Sequence, residues 1–207
     1  MTDSSPVVNH HADHAGFAGV TGLVTALGML IMGRNCARLA AELASVSAAD
    51  RVVDIGCGPG NAVRAAARRG ASAVGVDPSP VMLRLARTAT RDHPNVSWAP
   101  GGAEALPVSD EGATVAWSLK TVHHWQDVTA GLAELRRVLT PSGRLLVMER
   151  RVQPGAKGLA SHGWTERQAE SFAAQCEAAG FEGVRIDQRP VGRGALWVVR
   201  GYKASQS

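Results

Sequence analysis

The chain has 207 residues, of which 45% are hydrophobic and 19% charged, and its formal net charge is +4. These values predict one globular domain with a substantial core and exclude a disordered chain. The positive charge comes mostly from arginines scattered through predicted helices, so it does not indicate a nucleic-acid surface. Three distant cysteines without a C-x-x-C pair favour a reducing, cytoplasmic location over a disulfide framework or a thiolate zinc site.

The N-terminal segment is polar at first and then apolar, and its start lacks the pattern of a secretory signal. His10-His-Ala-Asp-His14 contains side chains that bind metals, but no second cluster fixes a geometry, so we predict no metal. The residues from Phe17 to Met32 carry no charge, but sixteen residues fall short of the roughly 20 that span a bilayer. We predict no transmembrane span, and expect helices packed on the body or closing a pocket. Shallow contact with a membrane surface is the alternative.

The next stretch, Arg51 to Gly60, predicts a buried strand followed by a turn with glycines at alternate positions. A helical run then extends from Asn61, a candidate N-cap, to Arg69. This order lets a nucleotide-like ligand lie against bare backbone, because glycine adopts positive φ and has no Cβ. The dinucleotide pattern G-x-G-x-x-G fails, because Asn61 stands where its third glycine would be. A tight turn without a ligand is the alternative interpretation.

The pattern that remains is Asp54-x-Gly-x-Gly-x-Gly60, and it resembles the first motif of class I S-adenosylmethionine-dependent methyltransferases. An acidic residue before the glycines suits a ligand with an ammonium group. The next predicted strand ends at Asp77, 17 residues after Gly60, near the distance at which an acidic residue reaches ribose hydroxyls. Asp77 is also placed to close a turn or cap a helix before Pro78-Ser-Pro80. The two signals together predict a nucleotide-type cofactor.

An amphipathic helix is predicted from Val81 to Arg91, with Val81, Leu85 and Ala89 on one face and Met82 placed to touch a ligand held by Asp77. After a third strand, Asn95 to Ala99, the chain runs through Pro100-Gly-Gly-Ala-Glu-Ala-Leu-Pro107. This resembles the third cofactor motif of the small ubiquinone/menaquinone-biosynthesis type of methyltransferase (type 11), Gly-Asp-Ala-Glu-x-Leu-Pro.

In that family the motif's aspartate bonds the adenine amino group, but here Gly102 takes its position. The resemblance then leaves adenine to the Ala103 backbone, to apolar packing, to Glu104 or to a water molecule.

A fourth strand, Ala113 to Leu119, leads into Lys120-Thr-Val-His-His-Trp125, and the family's fourth strand commonly runs into a similar His-His-aromatic sequence. His123 and His124 are the candidate catalytic bases, because imidazole titrates near neutral pH. Alternatively, one of them bonds backbone in the next helix. Glu149 follows the fifth strand, at an edge where ligands bind in such sheets, and is a candidate substrate residue.

The rest of the chain predicts two helices, Val128 to Leu139 and Thr165 to Ala179, the second with a Thr165/Gln168 capping box. A turn at 140–143 precedes the fifth strand, and a hairpin near the end matches the family's reversed last strand. The fold class is therefore α/β: a Rossmann-like, seven-stranded, mostly parallel sheet with the last strand antiparallel and helices on both faces. By resemblance, residues 1–50 form an N-terminal helical lid over the methyltransferase domain, 51–207.

The resemblance implies methyl transfer from S-adenosylmethionine, giving S-adenosylhomocysteine, to a small apolar or amphipathic acceptor, at oxygen or carbon rather than nitrogen or sulfur. The implied cofactor residues are Asp54, Gly56, Cys57, Gly58, Gly60, Asp77, Pro78, Met82, Gly102, Ala103, Glu104 and Leu119. The implied acceptor residues are His14, Phe17, Trp125 and Glu149.

Three other functions are weighed against this one. Gly102 favours a non-catalytic cofactor sensor or partner subunit with the same fold. A methyltransferase acting on RNA is a further alternative. DNA is not an expected partner, because the fourth strand lacks the Asn/Asp-Pro-Pro-aromatic sequence of the methyltransferases that act on bases. Asn61 opposes a nicotinamide-dependent dehydrogenase.

Overall fold

The computed structural model describes residues 7–12, 33–91, 93–192 and 194–205. Strands and helices alternate along most of them. The strands are β1 (Arg51–Ile55), β2 (Ser72–Asp77), β3 (Val96–Pro100), β4 (Ala113–Leu119), β5 (Leu139–Arg150), β6 (Phe181–Val191) and β7 (Gly194–Lys203). The α-helices are α1 (Arg34–Leu43), α2 (Asn61–Ala67), α3 (Pro80–Ala89), α4 (Val128–Val138) and α5 (Glu166–Ala178), and short 3₁₀ helices cover Val122–His124 and Gly158–Ser161.

The seven strands form one sheet in the order β3-β2-β1-β4-β5-β7-β6. The first five strands pair in parallel, whereas β7 runs antiparallel to both β5 and β6. The predicted sheet, with its reversed last strand, is therefore confirmed. The strand order changes direction between β1 and β4, and in open α/β sheets ligands bind outside the carboxyl ends of the strands at such a point.

Helices cover both faces of the sheet, as predicted. Neighbouring residues of a strand point to opposite faces, so Val52 and Val53 belong to two separate apolar clusters. One cluster joins Val52 to Val63 of α2 and to buried residues of α1 and α3. The other joins Val53 to Leu132 of α4 and Phe172 of α5. The two cores fix the strand ends that carry the site.

Two local predictions are wrong. The N-cap of α2 is Gly60, in the left-handed conformation with φ 81°, while the Asn61 side chain accepts a hydrogen bond from Arg64. Helix α3 buries Met82, Leu83 and Ala86, not the predicted face, and Leu83 packs in the same core as Val52.

The predicted turn at 140–143 lies within β5. The register of β4 against β5 shifts there, and Ser142 has a φ of 60°. The predicted turn is therefore a bulge near the start of the strand, which pairs in parallel with β4 on both sides of it. The Thr165/Gln168 capping box is confirmed at the start of α5.

Much of the predicted lid, including His14, Phe17 and the apolar stretch up to Met32, lies outside the described residues. Residues 7–12 are described and lie against the body, where the His11 N–H donates to the His123 carbonyl at 2.9 Å. Within the part of the chain that the structure describes, no helix has the length and apolar character needed to cross a bilayer.

Candidate functional site

The glycine turn lies at the carboxyl end of β1, and all three of its glycines have positive φ: 70° at Gly56, 51° at Gly58 and 81° at Gly60. A Cβ on Gly60 would lie 2.3 Å from the Trp98 ring, so packing alone requires glycine there. A Cβ on Gly58 would meet nothing within 4 Å. The middle of the turn therefore presents bare backbone to open space, where a ligand can approach closely.

Asp77 ties the turn to the next helix. Its Oδ2 accepts from the Gly58 N–H at 2.8 Å and its Oδ1 from the Ser79 N–H at 2.8 Å. Burial raises the pKa of Asp77, and these two hydrogen bonds oppose that shift. Each carboxylate oxygen accepts more than one hydrogen bond, so the structural role leaves capacity for ribose hydroxyls.

Asp54 lies in β1 and is only 2% exposed. Its Oδ2 has no hydrogen-bond partner among the described residues. Burial, with the nearby Asp77 charge adding to it, raises the pKa of Asp54 to about 8. A buried carboxyl group with an orphaned oxygen fits the ammonium end of an amino-acid ligand, which would supply both a charge partner and a hydrogen bond.

The loop after β3 replaces the family's aspartate with an arrangement of its own. Glu104 Oε1 accepts from the backbone N–H groups of Gln126 (2.7 Å) and Asp127 (3.2 Å) just before α4. Its Oε2 lies 2.8 Å from the position that a Cβ on Gly102 would take. The Glu104 carboxylate therefore lies beside the place where the family's aspartate side chain would begin. Ala103 and Met82 are both buried.

The 3₁₀ helix after β4 presents the two predicted catalytic histidines. His123 Nδ1 lies 2.9 Å from Glu149 Oε2, and both side chains are buried. His124 Nδ1 lies 3.3 Å from the His11 carbonyl oxygen. The Glu149 carboxylate and the His11 carbonyl can only accept hydrogen bonds. In both neutral rings Nδ1 therefore carries the proton and Nε2 carries the lone pair. Burial, reinforced by the neighbouring His123, lowers the pKa of His124.

Three further histidines reach the same edge of the sheet. The His11 ring stacks on His162 with centroids 4.1 Å apart, and the His123 and His124 centroids are also 4.1 Å apart. His10 packs beside His11 at 4.5 Å. We call His10, His11, His123, His124 and His162 the histidine cluster. His162 is not among the residues predicted from the sequence. Its place after β5 is nevertheless a signal, because a loop that follows a parallel strand starts at the ligand-binding edge.

The other predicted site residues are less closely tied to this edge. Trp125 is 5% exposed, and its ring fills the space above Gly131 of α4, so it is part of the core. Leu119 packs against the core on the α1–α3 face, Cys57 is buried, and Pro78 is exposed.

A surface groove of about 350 Å³ lies elsewhere, lined by Arg51, Ser72 and Asn95. Arg51 and Ser72 begin their strands and Asn95 immediately precedes one. The groove is therefore at the opposite edge of the sheet from the glycine turn. Asp54, Asp77 and the histidine cluster lie at the carboxyl ends of the strands, and we place the candidate site there.

Residues 53–147 match the family model described as a methyltransferase domain. Over 112 residues the chain is 33% identical to a demethylmenaquinone methyltransferase of Tropheryma whipplei, covering 54% of this chain and 46% of the relative. The chain thus spans about half the length of the curated relatives it matches.

Solved structures share the fold at low identity. A chain in the complex of the Haloferax volcanii Trm112 methyltransferase activator with a methyltransferase is 20% identical, with a TM-score of 0.74, over 89% of this chain and 95% of that one. The [4+2]-cyclase SpnF is 17% identical, with a TM-score of 0.71, over 98% of this chain and 89% of that one. The matched segment, the sheet order and the glycine turn are all similar to those of class I S-adenosylmethionine-dependent methyltransferase domains.

Proposed function

We propose that this protein transfers the methyl group of S-adenosylmethionine to a hydroxyl oxygen of a small, apolar or amphipathic acceptor. The observation that carries the proposal is the cofactor side of the site: an orphaned, buried Asp54 oxygen, open space over Gly58 and Asp77 at the end of β2. Asp54 and the glycine turn would hold the methionine end, and Asp77 the ribose. Met82, Ala103 and Glu104 would surround adenine.

S-adenosylmethionine supplies a methyl group on a positively charged sulfur. The chain's own task is to bring an acceptor oxygen to attack distance and to remove its proton. We assign proton removal to Nε2 of His123. Glu149 holds the opposite nitrogen at 2.9 Å, so it orients the ring and stabilises the imidazolium cation that forms. His124 then lines the acceptor side.

The acceptor class is inferred from the surroundings of the cluster. The imidazole rings of His123, His124 and His162 are buried or half-buried, which suits a small aromatic ring better than a polyanion. One relative is named a demethylmenaquinone methyltransferase, so phenols and hydroquinones are the acceptors to test first. We also propose that residues 1–50 form the lid over this site, because His11 already contacts His123 in the 3₁₀ helix after β4.

The test is a calorimetric titration of the protein with S-adenosylmethionine, and separately with NAD, in the native chain and in Asp77→Ala. We expect the native chain to bind S-adenosylmethionine with micromolar affinity and NAD weakly or not at all. Asp77→Ala should lose S-adenosylmethionine binding. Asp110→Ala is the matched control, because Asp110 is an exposed aspartate whose partner is Arg137. NAD binding in place of S-adenosylmethionine would overturn the proposal.

A second candidate is a protein of this fold that does not transfer methyl groups by itself. Gly102 removes an adenine contact, one structural neighbour is a cyclase, and another is found with a methyltransferase activator. Cofactor binding without S-adenosylhomocysteine production from any phenol or hydroquinone would favour this candidate. Production that begins only when a partner protein is added would identify a partner-dependent enzyme.

A further inference from the structure

Three histidines of the cluster have the arrangement of a metal-binding site. His123, His124 and His162 each offer a ring nitrogen, and the three nitrogens lie within 4.8 Å of one another. His123 and His124 come from the turn after β4 and His162 from the segment after β5, so the fold brings together residues that are distant in sequence. We propose that these three histidines bind a divalent transition-metal ion, with Zn²⁺ the first ion to test.

The hydrogen bonds of two of these rings fix the nitrogen that an ion would use. Nδ1 of His123 donates to Glu149 and Nδ1 of His124 donates to the His11 carbonyl. Nε2 therefore carries the lone pair in both. A metal-bound histidine usually donates its other N–H to a carboxylate or a backbone carbonyl, which orients the ring and makes it a stronger ligand. Both kinds of partner are present here.

Glu149 supports the same conclusion independently. It is fully buried, and its Oε1 has no hydrogen-bond partner among the described residues. A buried carboxylate is costly unless a positive charge compensates it. An ion on His123 would place positive charge one ring away, which accounts for a carboxylate at this depth better than a neutral imidazole does.

The donor set favours some ions over others. Three neutral imidazoles suit Zn²⁺, Ni²⁺, Cu²⁺ or Fe²⁺ rather than Mg²⁺ or Ca²⁺, which prefer oxygen ligands. Metal–nitrogen distances of about 2.0–2.1 Å put ligand nitrogens roughly 3.3–3.4 Å apart in a tetrahedral site. The three nitrogens lie within 4.8 Å of one another, so metal binding requires the rings to move closer by up to about 1.5 Å. His10 is not a fourth ligand, because Ser161 and Gln168 contact both of its ring nitrogens.

Three protein ligands leave the fourth position of a tetrahedral ion open for water or an acceptor oxygen. This inference goes beyond the proposed function and is testable without cofactor. The two roles of His123 therefore belong to different forms of the protein. In the metal-free form its Nε2 accepts the acceptor's proton. With an ion bound the imidazoles are ligands, and the ion itself lowers the pKa of an oxygen in the open position. It also departs from the expectation of no metal, which rested on the lack of a second cluster in the sequence.

The experiment is equilibrium dialysis of the tag-free, cofactor-free protein against Zn²⁺, with Co²⁺ absorption as a probe of coordination. We expect about one ion per chain and a tetrahedral Co²⁺ spectrum. His124→Ala and His162→Ala should each weaken binding at least about tenfold, and Glu149→Gln by about 10–100-fold. Circular dichroism verifies that each variant is folded.

His93→Ala is the matched control, because His93 lies in the turn before β3, outside the cluster, and should leave binding unchanged. Absence of bound Zn²⁺, or binding that survives in His162→Ala, or an equal loss in His93→Ala would overturn the metal site. None of these outcomes bears on S-adenosylmethionine binding, which the calorimetric titration measures separately.

Discussion

His123 is the residue on which the proposed proton transfer depends. Its Nδ1 is held by Glu149 at 2.9 Å, so the ring's orientation is fixed before an acceptor arrives. We expect His123→Gln, which keeps a donor toward Glu149, to lower turnover of a methylated phenol by about 10²–10⁴-fold. S-adenosylmethionine affinity should change little, because the proposed cofactor contacts do not include His123.

The measurement is S-adenosylhomocysteine formation by the metal-free protein at saturating cofactor, with His93→Gln as control. His124→Gln and the double variant complete the series. If both single variants and the double variant lose less than about threefold, neither histidine acts as the base.

Asp54 carries a proton in the folded, ligand-free protein at neutral pH, because burial and the Asp77 charge raise its pKa to about 8. An ammonium group pairs with the carboxylate form. Cofactor binding should therefore release close to one proton per chain at pH 7, and affinity should rise by nearly tenfold per pH unit from about 6 to 7 and level off above about 8. Calorimetry in two buffers of different ionisation enthalpy measures the released proton directly.

Asp54→Asn keeps the shape of the side chain and should abolish both the proton release and the pH dependence. The raised pKa of Asp54 also makes the free energy of unfolding depend on pH. The unfolded carboxyl, with a pKa near 3.8, ionises first as pH rises, so Asp54 lowers the free energy of unfolding between about pH 4 and 8. Tight binding without proton release would mean that the cofactor's ammonium does not contact Asp54.

At the scale of elements, two glycines of the glycine turn have different roles: Gly60 is required by packing, and Gly58 leaves space for a ligand. Gly60→Ala combines left-handed strain with a contact 2.3 Å from the Trp98 ring, and should lower the free energy of unfolding by roughly 2–5 kcal/mol. Gly58→Ala adds a methyl to open space and should cost only about 1–2 kcal/mol of strain. Urea denaturation measures both.

Cofactor titration completes the comparison. Gly58→Ala should remain folded and lose affinity, because its methyl enters the space over the turn. Equal destabilisation by the two substitutions would show that Trp98 does not decide the choice of glycine at position 60.

These elements also show how far the sequence alone predicts the site. The ends of β1 and β2 can be predicted from the sequence, so the positions of Asp54, Asp77 and the glycine turn in the sheet were predicted correctly. The buried face of α3 was not, because short runs of apolar residues allow more than one rotation on the sheet. His162 joins the cluster only because the segments after β4 and β5 meet at one edge. Which segments lie next to each other depends on the order of the strands in the sheet, and a local sequence pattern does not predict that order.

At the scale of the whole molecule, residues 7–12 connect the N-terminal part of the chain to the site. The Val8 side chain is 2% exposed within the core on the α4–α5 face. Its carbonyl accepts from Trp164 Nε1 at 2.9 Å, and Asn9 Nδ2 donates to the Trp125 carbonyl at 3.0 Å. The segment is thus anchored before it reaches His10 and His11, which makes its docking a precondition for the complete cluster.

Val8→Ala tests this anchoring. Removing two buried methyl groups should lower the free energy of unfolding by roughly 1–3 kcal/mol, whereas Val7→Ala should stay within about 0.5 kcal/mol, because Val7 is 64% exposed. Urea denaturation of the two neighbouring variants gives the comparison. Val8→Ala should also raise the acceptor KM more than the cofactor Kd, because the histidines that follow Val8 lose their support while the glycine turn keeps its own. Equal stability of the two variants would mean that the segment is not docked in solution, and the lid would then lose its anchor.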